Sequence, residues 1–360
     1  AEIQSRYNIP VHSSIEGDGI WEVRTELGNL ELRLYDATQT TARDQWTALL
    51  TFLTENDHPA PHLIETSEGV TFSQWEDRSG ILSTTVFGRD PSFEPKFFFQ
   101  LGATVGRLHA LDVYEASLPV ADYNVKAERE KFRMQDADPE VRAWEGYGSV
   151  REELVAAWDR MPDFGNHPSV LINTAPFQWS AVLTREGVAL ENWDHAGIGS
   201  AVMDIGSLFS FQGILPAPQE TLRESVAGAF LHGYQSCRKL TTLEIDELPD
   251  AIALGVPTYA IERWREPIEE STWLRAKHIL DHRSQIADQL RRLLASPACA
   301  YPSPVSPTTS STIPPEPTPE AFEKHYGLPV DRVSRLSQRA WLVRSGDREW
   351  VLRLHNPELQ

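Results

Sequence analysis

The sequence predicts an α+β fold with a small β-rich part followed by a larger helical part. Near the N-terminus, over residues 20–24 and 30–35, apolar and polar residues alternate as they do in half-buried strands. From residue 95 onward apolar residues recur at helical spacing, interrupted by a strand-like stretch from 170 to 192. Because strands and helices do not alternate along the chain, a parallel sheet of βαβ units is not expected.

In the β-rich part, residues 20–24 and 30–35 predict a β-hairpin whose turn contains Gly28. Residues 40–56 predict an amphipathic helix, because apolar residues follow the i, i+3, i+4, i+7 spacing at Trp46, Leu49, Leu50 and Leu53. A further strand is predicted near residues 69–75.

In the helical part, the pattern predicts helices over residues 95–114 and 150–161, followed by the two-strand stretch from 170 to 192. Three more helices are predicted around residues 217–238, 246–264 and 270–295. Residues 296–319 carry eight prolines among Ser and Thr, so this segment is predicted to be a linker and not a helix or an inner strand.

Three short stretches recur across the linker in the same order. YNIPV at 7–11 returns as YGLPV at 326–330, WEVR at 21–24 as WLVR at 341–344, and LRLY at 32–35 as LRLH at 352–355. The first offset is 319 residues and the other two are 320, so one residue is inserted between them. This repeat predicts that residues 320–360 begin a second copy of the N-terminal unit. We expect sequence beyond residue 360 to complete it; docking on the first unit or pairing with another copy are the alternatives.

Composition excludes several classes of partner. The chain has 33 Lys and Arg against 52 Asp and Glu, a formal charge of -19, which repels nucleic acids and anionic membrane surfaces. Its two cysteines, Cys237 and Cys299, are far apart and lie in no metal-binding or disulfide pattern. We therefore expect a cytoplasmic protein that binds neither nucleic acid nor membrane.

Five motifs in order resemble the aminoglycoside phosphotransferase family, relatives of choline and homoserine kinases. They are LRLY, LGATVGRLHAL, LINTAPFQWSAVL, VALENWDHAGIG and MDIGSL. The resemblance covers roughly residues 1–295 and starts again near 320. It implies a protein-kinase-like fold with an N-lobe at 1–76, a helical C-lobe at 77–295, a linker at 296–319 and a partial second N-lobe at 320–360.

Active members of that family carry the motif H-x-D-x-x-x-x-N, followed by I-D-W. The first Asp deprotonates the acceptor hydroxyl, while the Asn and the later Asp hold magnesium. By resemblance, the His position falls on Asn173, the base on Ala175, and the two metal ligands on Ser180 and Asn192. No catalytic position is therefore intact. Asp194 is a possible substitute ligand, because on a strand it would share a face with Asn192.

The nucleotide-binding positions are also altered. The phosphate-binding Lys of the family falls on Arg33, and its helical Glu partner falls near Gln45 or Trp46. The phosphate-covering turn is reduced to residues 16–19, with two acidic side chains. The resemblance therefore implies a degenerate nucleotide cleft around Gly17, Gly19, Arg33 and Trp75. Two further tryptophans near this cleft, Trp179 and Trp193, either belong to the core or fill the nucleotide pocket.

Three other features have structural interpretations. Asp163-Phe164-Gly165 matches a protein-kinase metal motif but precedes the catalytic-loop segment, so an Asp-capped turn is expected. His109 is expected to be a packed, hydrogen-bonded core histidine. Asp204 matches a family residue that braces the catalytic loop, and a structural role is expected for it.

These observations predict a catalytically defective phosphotransferase-like protein, a pseudokinase, with a regulatory, binding or scaffolding role for a tandem kinase-like domain. No cofactor is expected. The alternative is an active small-molecule phosphotransferase with displaced catalytic groups, which would require Mg-ATP. The predicted partner is the downstream domain or another protein, and self-association through 320–360 is a further option.

Overall fold

A computed structural model describes most of the chain. The described residues are 2–17, 20–26, 28–86, 88–89, 94–114, 117–143, 146–174, 180–210, 222–262, 279 and 281–296, with the backbone of three strands between 332 and 353. The chain divides into two compact units. The first comprises Ala1–Arg43, Pro61–Thr85 and Val305–Gln360, and the second comprises Asp44–Ala60 and Val86–Pro304.

The first unit contains a short helix and an antiparallel sheet, in agreement with the predicted β-rich N-terminal part. The helix is α1 (Glu2–Tyr7), and the strands are β1 (Val11–Gly17), β2 (Ile20–Thr25), β3 (Gly28–Tyr35), β4 (Leu63–Ile64), β5 (Phe72–Trp75) and β6 (Arg78–Thr84). The order in the sheet is β1-β2-β3-β6-β4, and β5 also pairs with β6. The predicted hairpin is confirmed by the pairing of Trp21 with Leu32, and the predicted strand at 69–75 corresponds to β5.

The sheet extends beyond the sequence-based lobe boundary at residue 76. β6 pairs with β3 through Leu82 and Leu32, and the compact unit continues to Thr85. The boundary at 76 therefore falls in the turn of the β5–β6 hairpin. The sequence did not predict β6 because its apolar residues, Ile81 and Leu82, are adjacent, and both are buried on opposite faces.

The two faces of the sheet differ in character. On one face Leu30, Leu32 and Leu82 form an apolar cluster with Ile3 and Tyr7 of α1. The opposite face carries the alternate residues of the same strands, which include charged side chains at Glu22, Glu31 and Arg33. The N-terminal helix therefore covers the apolar face.

The second unit is mainly helical, as predicted. Its helices are α2 (Thr40–Glu55, in this unit from Asp44), α3 (Pro95–Leu108), α4 (Val125–Asp136), α5 (Pro139–Arg142), α6 (Tyr147–Arg160), α7 (Ala201–Ser210), α8 (Glu224–Gln235), α9 (Thr242–Glu262) and α10 (Arg283–Ala295). Two small antiparallel sheets lie between α6 and α7: β7 (Ser169–Ile172) pairs with β10 (Gly197–Ser200), and β8 (Ala181–Thr184) pairs with β9 (Gly187–Leu190). No helix among the described residues has the length and hydropathy to cross a membrane.

Helices α3 and α8 pack closely because glycines face the neighbouring backbone. A Cβ atom at Gly106 of α3 would lie 2.6 Å from the carbonyl oxygen of Tyr234, and one at Gly233 of α8 would overlap the carbonyl oxygen of Phe99. Only glycine allows two backbones to approach this far. This contact forms the centre of the helical core.

The amphipathic pattern predicted some helices and missed others. The predicted apolar face of α2 is buried, including Trp46 and Leu50. Helix α7 was not predicted because all of its residues are buried, so the sequence AVMDIGSLFS has no polar face. The predicted starts near residues 217 and 270 lie outside the described residues.

Three strands near the C-terminus reproduce the register of β1–β3. They are β11 (Arg332–Ser337), β12 (Ala340–Ser345) and β13 (Arg348–Arg353). Trp341 pairs with Leu352, as Trp21 pairs with Leu32, and every other pair of this hairpin is likewise shifted by 320 residues. In β11 the register is irregular between Arg335 and Ser337, where the offset from β1 changes from 319 to 320. The inserted residue of the repeat therefore lies in this irregularity.

Candidate active site

The segment that follows β7 is held by a buried carboxylate on α7. Asp204, fully buried, accepts hydrogen bonds from the backbone N–H of Asn173 at 2.8 Å and from that of Thr174 at 2.7 Å. Hydrogen bonds to an ionised acceptor are stronger than neutral ones, and few water molecules compete here. The prediction that Asp204 braces this loop is confirmed.

The braced backbone is strained. Thr174 has a φ of 71°, in the left-handed region, which is uncommon for a β-branched residue and costs on the order of 1–3 kcal/mol. The two hydrogen bonds to Asp204 offset this cost. Thr174 directly precedes Ala175, the family base position, and residues 175–179 with Trp179 lie outside the described part of the chain. The backbone that leads into the base position is thus held, although the residue at 175 has no polar side chain.

A chain of buried polar side chains continues behind Asp204. His109 Nε2 lies 3.1 Å from Asp204 Oδ2, and His109 Nδ1 lies 3.0 Å from the hydroxyl oxygen of Tyr234. Arg238 donates to the same hydroxyl at 2.8 Å and pairs with Glu244 at 2.6 Å. We call these residues, from Asp204 to Glu244, the buried polar chain. His109 is confirmed as a hydrogen-bonded core histidine.

Tyr234 occupies the middle of the buried polar chain. Burial raises the pKa of Tyr234 well above its usual range, so the phenol stays protonated. The Tyr234 oxygen accepts from Arg238 and lies 3.0 Å from Nδ1 of His109, so this hydroxyl connects the two side chains.

Asn173, at the family His position, links the loop to the segment after β9. Its Nδ2 donates to the backbone carbonyl of Glu191 at 3.2 Å and to that of Asn192 at 3.4 Å. The other side-chain atom, Oδ1, is buried without a hydrogen-bond partner. An unpaired buried acceptor costs about 1–3 kcal/mol, so this position carries a local energetic penalty.

The two family metal-ligand positions are hydrogen-bonded to each other. Asn192 Nδ2 donates to Ser180 Oγ at 3.3 Å, and the backbone N–H of Glu191 donates to the carbonyl oxygen of Ser180 at 2.7 Å. Ser180 is buried. The amide therefore directs at Ser180 an N–H group, which cannot ligate a cation.

Asp194 does not have the predicted strand geometry. β9 ends at Leu190, and Asn192 has a φ of 54°, so residues 191–194 are not a strand. The argument that Asp194 shares a strand face with Asn192 is therefore wrong. Asp194 is exposed in the following turn. In the described parts of the chain, no three His, Cys, Asp or Glu side chains are grouped so that they could hold a metal ion.

Trp193 belongs to the core of the second unit. It is 1% exposed and donates from Nε1 to the carbonyl oxygen of Leu190 at 3.0 Å. Its ring meets the His58 ring edge-on at a centroid distance of 5.7 Å. Burial, with smaller effects of Arg107 and His109, lowers the pKa of His58 to about 3. Both rings are therefore neutral core groups.

The predicted nucleotide-binding residues of the first unit are not brought together. Arg33 pairs with Glu31, two residues earlier on β3, at 2.5 Å between Nε and Oε1. Trp75 lies on the opposite, apolar face, where it contacts Gly80 and donates to Ser73 at 2.5 Å. Gly17 ends β1, and Gly19 lies outside the described residues. Arg33 and Trp75 cannot line the same side of the sheet.

The Asp163-Phe164-Gly165 segment is a turn, as predicted. Asp163 Oδ1 accepts a hydrogen bond from the Gly165 N–H at 3.0 Å. Phe164 is buried and has a φ of 55°. The side chain of Asp163 is thus used within its own turn.

Sequence reasoning missed Glu31 and the distal members of the buried polar chain. Glu31 had a detectable signal, because residues i and i+2 of a strand share a face and Glu31-Leu32-Arg33 therefore places opposite charges side by side. Tyr234, Arg238 and Glu244 had no such signal, because their contacts depend on how α8 packs against α3.

Comparison with known proteins identifies the family. The family model described as "Phosphotransferase enzyme family" matches residues 10–240. No curated protein matches the chain.

Solved structures with a similar fold include three small-molecule kinases. An aminoglycoside phosphotransferase from Alicyclobacillus acidocaldarius has a TM-score of 0.56 and 14% identity, over 81% of this chain and 94% of that one. The amicoumacin kinase hAmiN has a TM-score of 0.56 and 14% identity, with coverages of 80% and 92%. A microcompartment-associated aminopropanol kinase has a TM-score of 0.54 and 17% identity, with coverages of 81% and 98%. At these identities the likeness shows the fold alone. Because the family model spans more than half of the sequence, the chain belongs to the phosphotransferase enzyme family.

Proposed function

We propose that this chain is a catalytically defective member of its family, a pseudokinase with a regulatory or binding role. The observation that carries the proposal is the 3.3 Å hydrogen bond between Asn192 and Ser180. In active members these two positions hold the metal. Here two neutral side chains share a hydrogen bond, which Asn192 donates to Ser180.

The chemistry of phosphoryl transfer explains the cost of these residues. A metal ion must bridge the phosphates, and a carboxylate must orient the attacking hydroxyl. Magnesium prefers carboxylate oxygens, which neither Ser180 nor Asn192 supplies. Ala175 can neither accept a proton nor orient a hydroxyl. Three separate requirements of the reaction are thus unmet by the side chains at the family positions.

The backbone of Asn173 and Thr174 is held by Asp204, and we call this arrangement the loop frame. Its retention supports a binding role. The strained backbone at Thr174 is stabilised by Asp204, although no base follows it. The partner that we propose is a second kinase-like unit, because β11–β13 repeat the register of β1–β3. Association through residues 320–360 with another copy of the chain is the competing mode of assembly.

A thermal-melt experiment with nucleotide tests the proposal. We expect no change of Tm when Mg-ATP or Mg-GTP is added to the 360-residue chain. A ligand at 100 times its Kd would stabilise the protein by about 2.7 kcal/mol, which such a melt detects easily. A magnesium-dependent increase of Tm together with nucleotide hydrolysis would contradict the pseudokinase proposal.

The second candidate is an active small-molecule phosphotransferase with displaced catalytic groups. It is favoured by one observation: a carboxylate, Asp194, lies exposed two residues after the family metal position. If the wild-type chain hydrolyses nucleotide and Asp194→Asn abolishes that activity, this candidate replaces the first.

A further inference from the structure

The charged face of the first sheet presents two carboxylates around Arg33. Glu22 of β2 pairs directly with Glu31 of β3, and Arg33 is paired with Ile20. Like charges directly opposite each other destabilise a sheet. Here the Arg33 guanidinium lies 2.5 Å from Glu31, with both side chains mostly buried, at 14% and 25% exposure. The cation thus already has an anion beside it.

The C-terminal sheet has the same register but lacks both acids. Leu342 pairs with Val351 where Glu22 pairs with Glu31, and Ala340 pairs with Arg353 where Ile20 pairs with Arg33. The arginine is therefore present at both register positions, whereas the two carboxylates occur only in the first sheet. This is a difference of two negative charges at one site.

We propose that Glu22 and Glu31 exclude the phosphates of a nucleotide from the Arg33 face of the first sheet. The inference rests on the proposed function and on the resemblance, which puts Arg33 at the phosphate-binding Lys position of the family. A guanidinium binds carboxylate and phosphate with the same fork geometry, so Glu31 occupies the groups that a phosphate would need. Because Glu31 is tethered two residues away, its effective concentration at Arg33 is high. Glu22 adds repulsion of any further anion.

The experiment measures binding of inorganic tripolyphosphate and of a fluorescent ATP analogue to the full 360-residue chain in EDTA. Without metal, the altered positions Ser180 and Asn192 do not influence the result. Glu22→Leu with Glu31→Val installs the residues of the C-terminal sheet, and Glu22→Gln with Glu31→Gln removes the charges with little change of shape. Each pair is also made with Arg33→Ala. Glu55→Gln with Glu68→Gln removes two exposed charges elsewhere as a control.

We expect both pairs to bind tripolyphosphate about tenfold more tightly than wild type or more, because a charge-assisted pair becomes available. Adding Arg33→Ala should abolish this gain, and the Glu55 and Glu68 control should show none. Binding by the C-terminal sheet is common to all variants and cancels in the comparison. The inference is overturned if the folded variants show no gain, if the gain survives Arg33→Ala, or if the control pair gains equally. Any of these results leaves the pseudokinase proposal standing, since that proposal is tested with magnesium present.

Discussion

In the second unit, the hydrogen bonds that hold the loop frame are stronger than the one between the two metal positions. In the frame, Asp204 accepts buried, charge-assisted hydrogen bonds from the backbone, and these stabilise the strained residue Thr174. The metal positions, Ser180 and Asn192, share a single neutral contact of 3.3 Å. The difference teaches that the architecture of an active site is separable from its chemistry. The frame is part of the core and its loss would destabilise the protein, whereas Asn192 is exposed and can change at little cost to folding.

The largest effect should come from breaking the frame. In Asp204→Asn the amide has one acceptor atom for two backbone N–H groups and loses the charge beside His109. We expect the free energy of unfolding to fall by about 3 kcal/mol or more, because buried partners are left unpaired. Urea unfolding followed by circular dichroism measures this. The same substitution at exposed Asp194 should cost about 0.5 kcal/mol or less. Equal losses in the free energy of unfolding at Asp204 and Asp194 would show that Asp204 has no special role in stability.

The next largest loss of stability is expected at the contact where α3 and α8 pack through glycines. In Gly233→Ala the new Cβ overlaps the carbonyl of Phe99, so α8, which carries Tyr234, must move away from α3. We expect a loss of about 2–3 kcal/mol, near the upper end for overpacking. Gly148 of α6 has open space around its Cα, so Gly148→Ala should instead stabilise by about 0.5 kcal/mol. Thermal melts of the two variants give the comparison, and a stable Gly233→Ala protein would show that the helices are not tightly fixed.

A smaller effect should appear as acid sensitivity of the core behind the metal positions. Burial lowers the folded-state pKa of His58 from its usual 6.5 to about 3, so between these pH values the unfolded chain binds a proton that the folded chain does not. Its contribution to stability is therefore complete above pH 6.5 and declines as the pH falls from 6.5 toward 3. At pH 5 this loss is about 2 kcal/mol.

The acid effect is measured by comparing unfolding at pH 7.5 and pH 5. His58→Leu should remove about 2 kcal/mol of the difference between the two pH values, whatever it does to stability at pH 7.5. Leu49→Ala, at a buried position without a titratable side chain, is the control and should leave the pH dependence unchanged. If His58→Leu retains the full acid sensitivity, the titrating group is elsewhere.

The smallest effect, a stabilisation by bound nucleotide, should follow when the catalytic residues of the family are restored. Ala175→Asp, Ser180→Asn and Asn192→Asp together leave the hydrogen bonds to Asp204 in place, although the larger side chain at buried Ser180 should cost about 1–3 kcal/mol. We expect weak magnesium-dependent nucleotide binding, seen as about 1 kcal/mol of stabilisation at a nucleotide concentration near five times Kd. Transfer need not return, because Arg33 remains paired with Glu31. A folded triple variant that binds nothing would show that the loop frame alone does not define a nucleotide site.

Sequence patterns predicted the elements that have one polar and one apolar face. Helix α2 and the β2–β3 hairpin were predicted because their burial alternates in the way the pattern requires. Helix α7 was missed because it is buried on every side. Strand β1 was missed for the opposite reason, because it is polar and exposed along most of its length.

The sequence predicted the candidate site only where the identity of a side chain decides its chemistry. It failed where the backbone conformation decides the position of the side chain. The identities of Ser180 and Asn192 were sufficient to predict neutral metal positions. The role of Asp194 was not predictable, because the left-handed backbone at Asn192 ends the strand that the argument assumed. Likewise Trp75 was placed with Arg33 because they resemble parts of one site, whereas the pleat of the sheet puts them on opposite faces.

The buried polar chain from Asp204 to Glu244 has a consequence for amide hydrogen exchange. The N–H groups of Asn173 and Thr174 donate to a carboxylate that is itself held through His109, Tyr234 and Arg238. Neither amide can exchange unless its hydrogen bond to that carboxylate opens, and we expect this opening to extend along the buried polar chain to Glu244, which accepts from the Thr241 N–H at 2.7 Å. Two amides beside a loop should therefore exchange as slowly as those of the helical core, in the same opening event as Thr241.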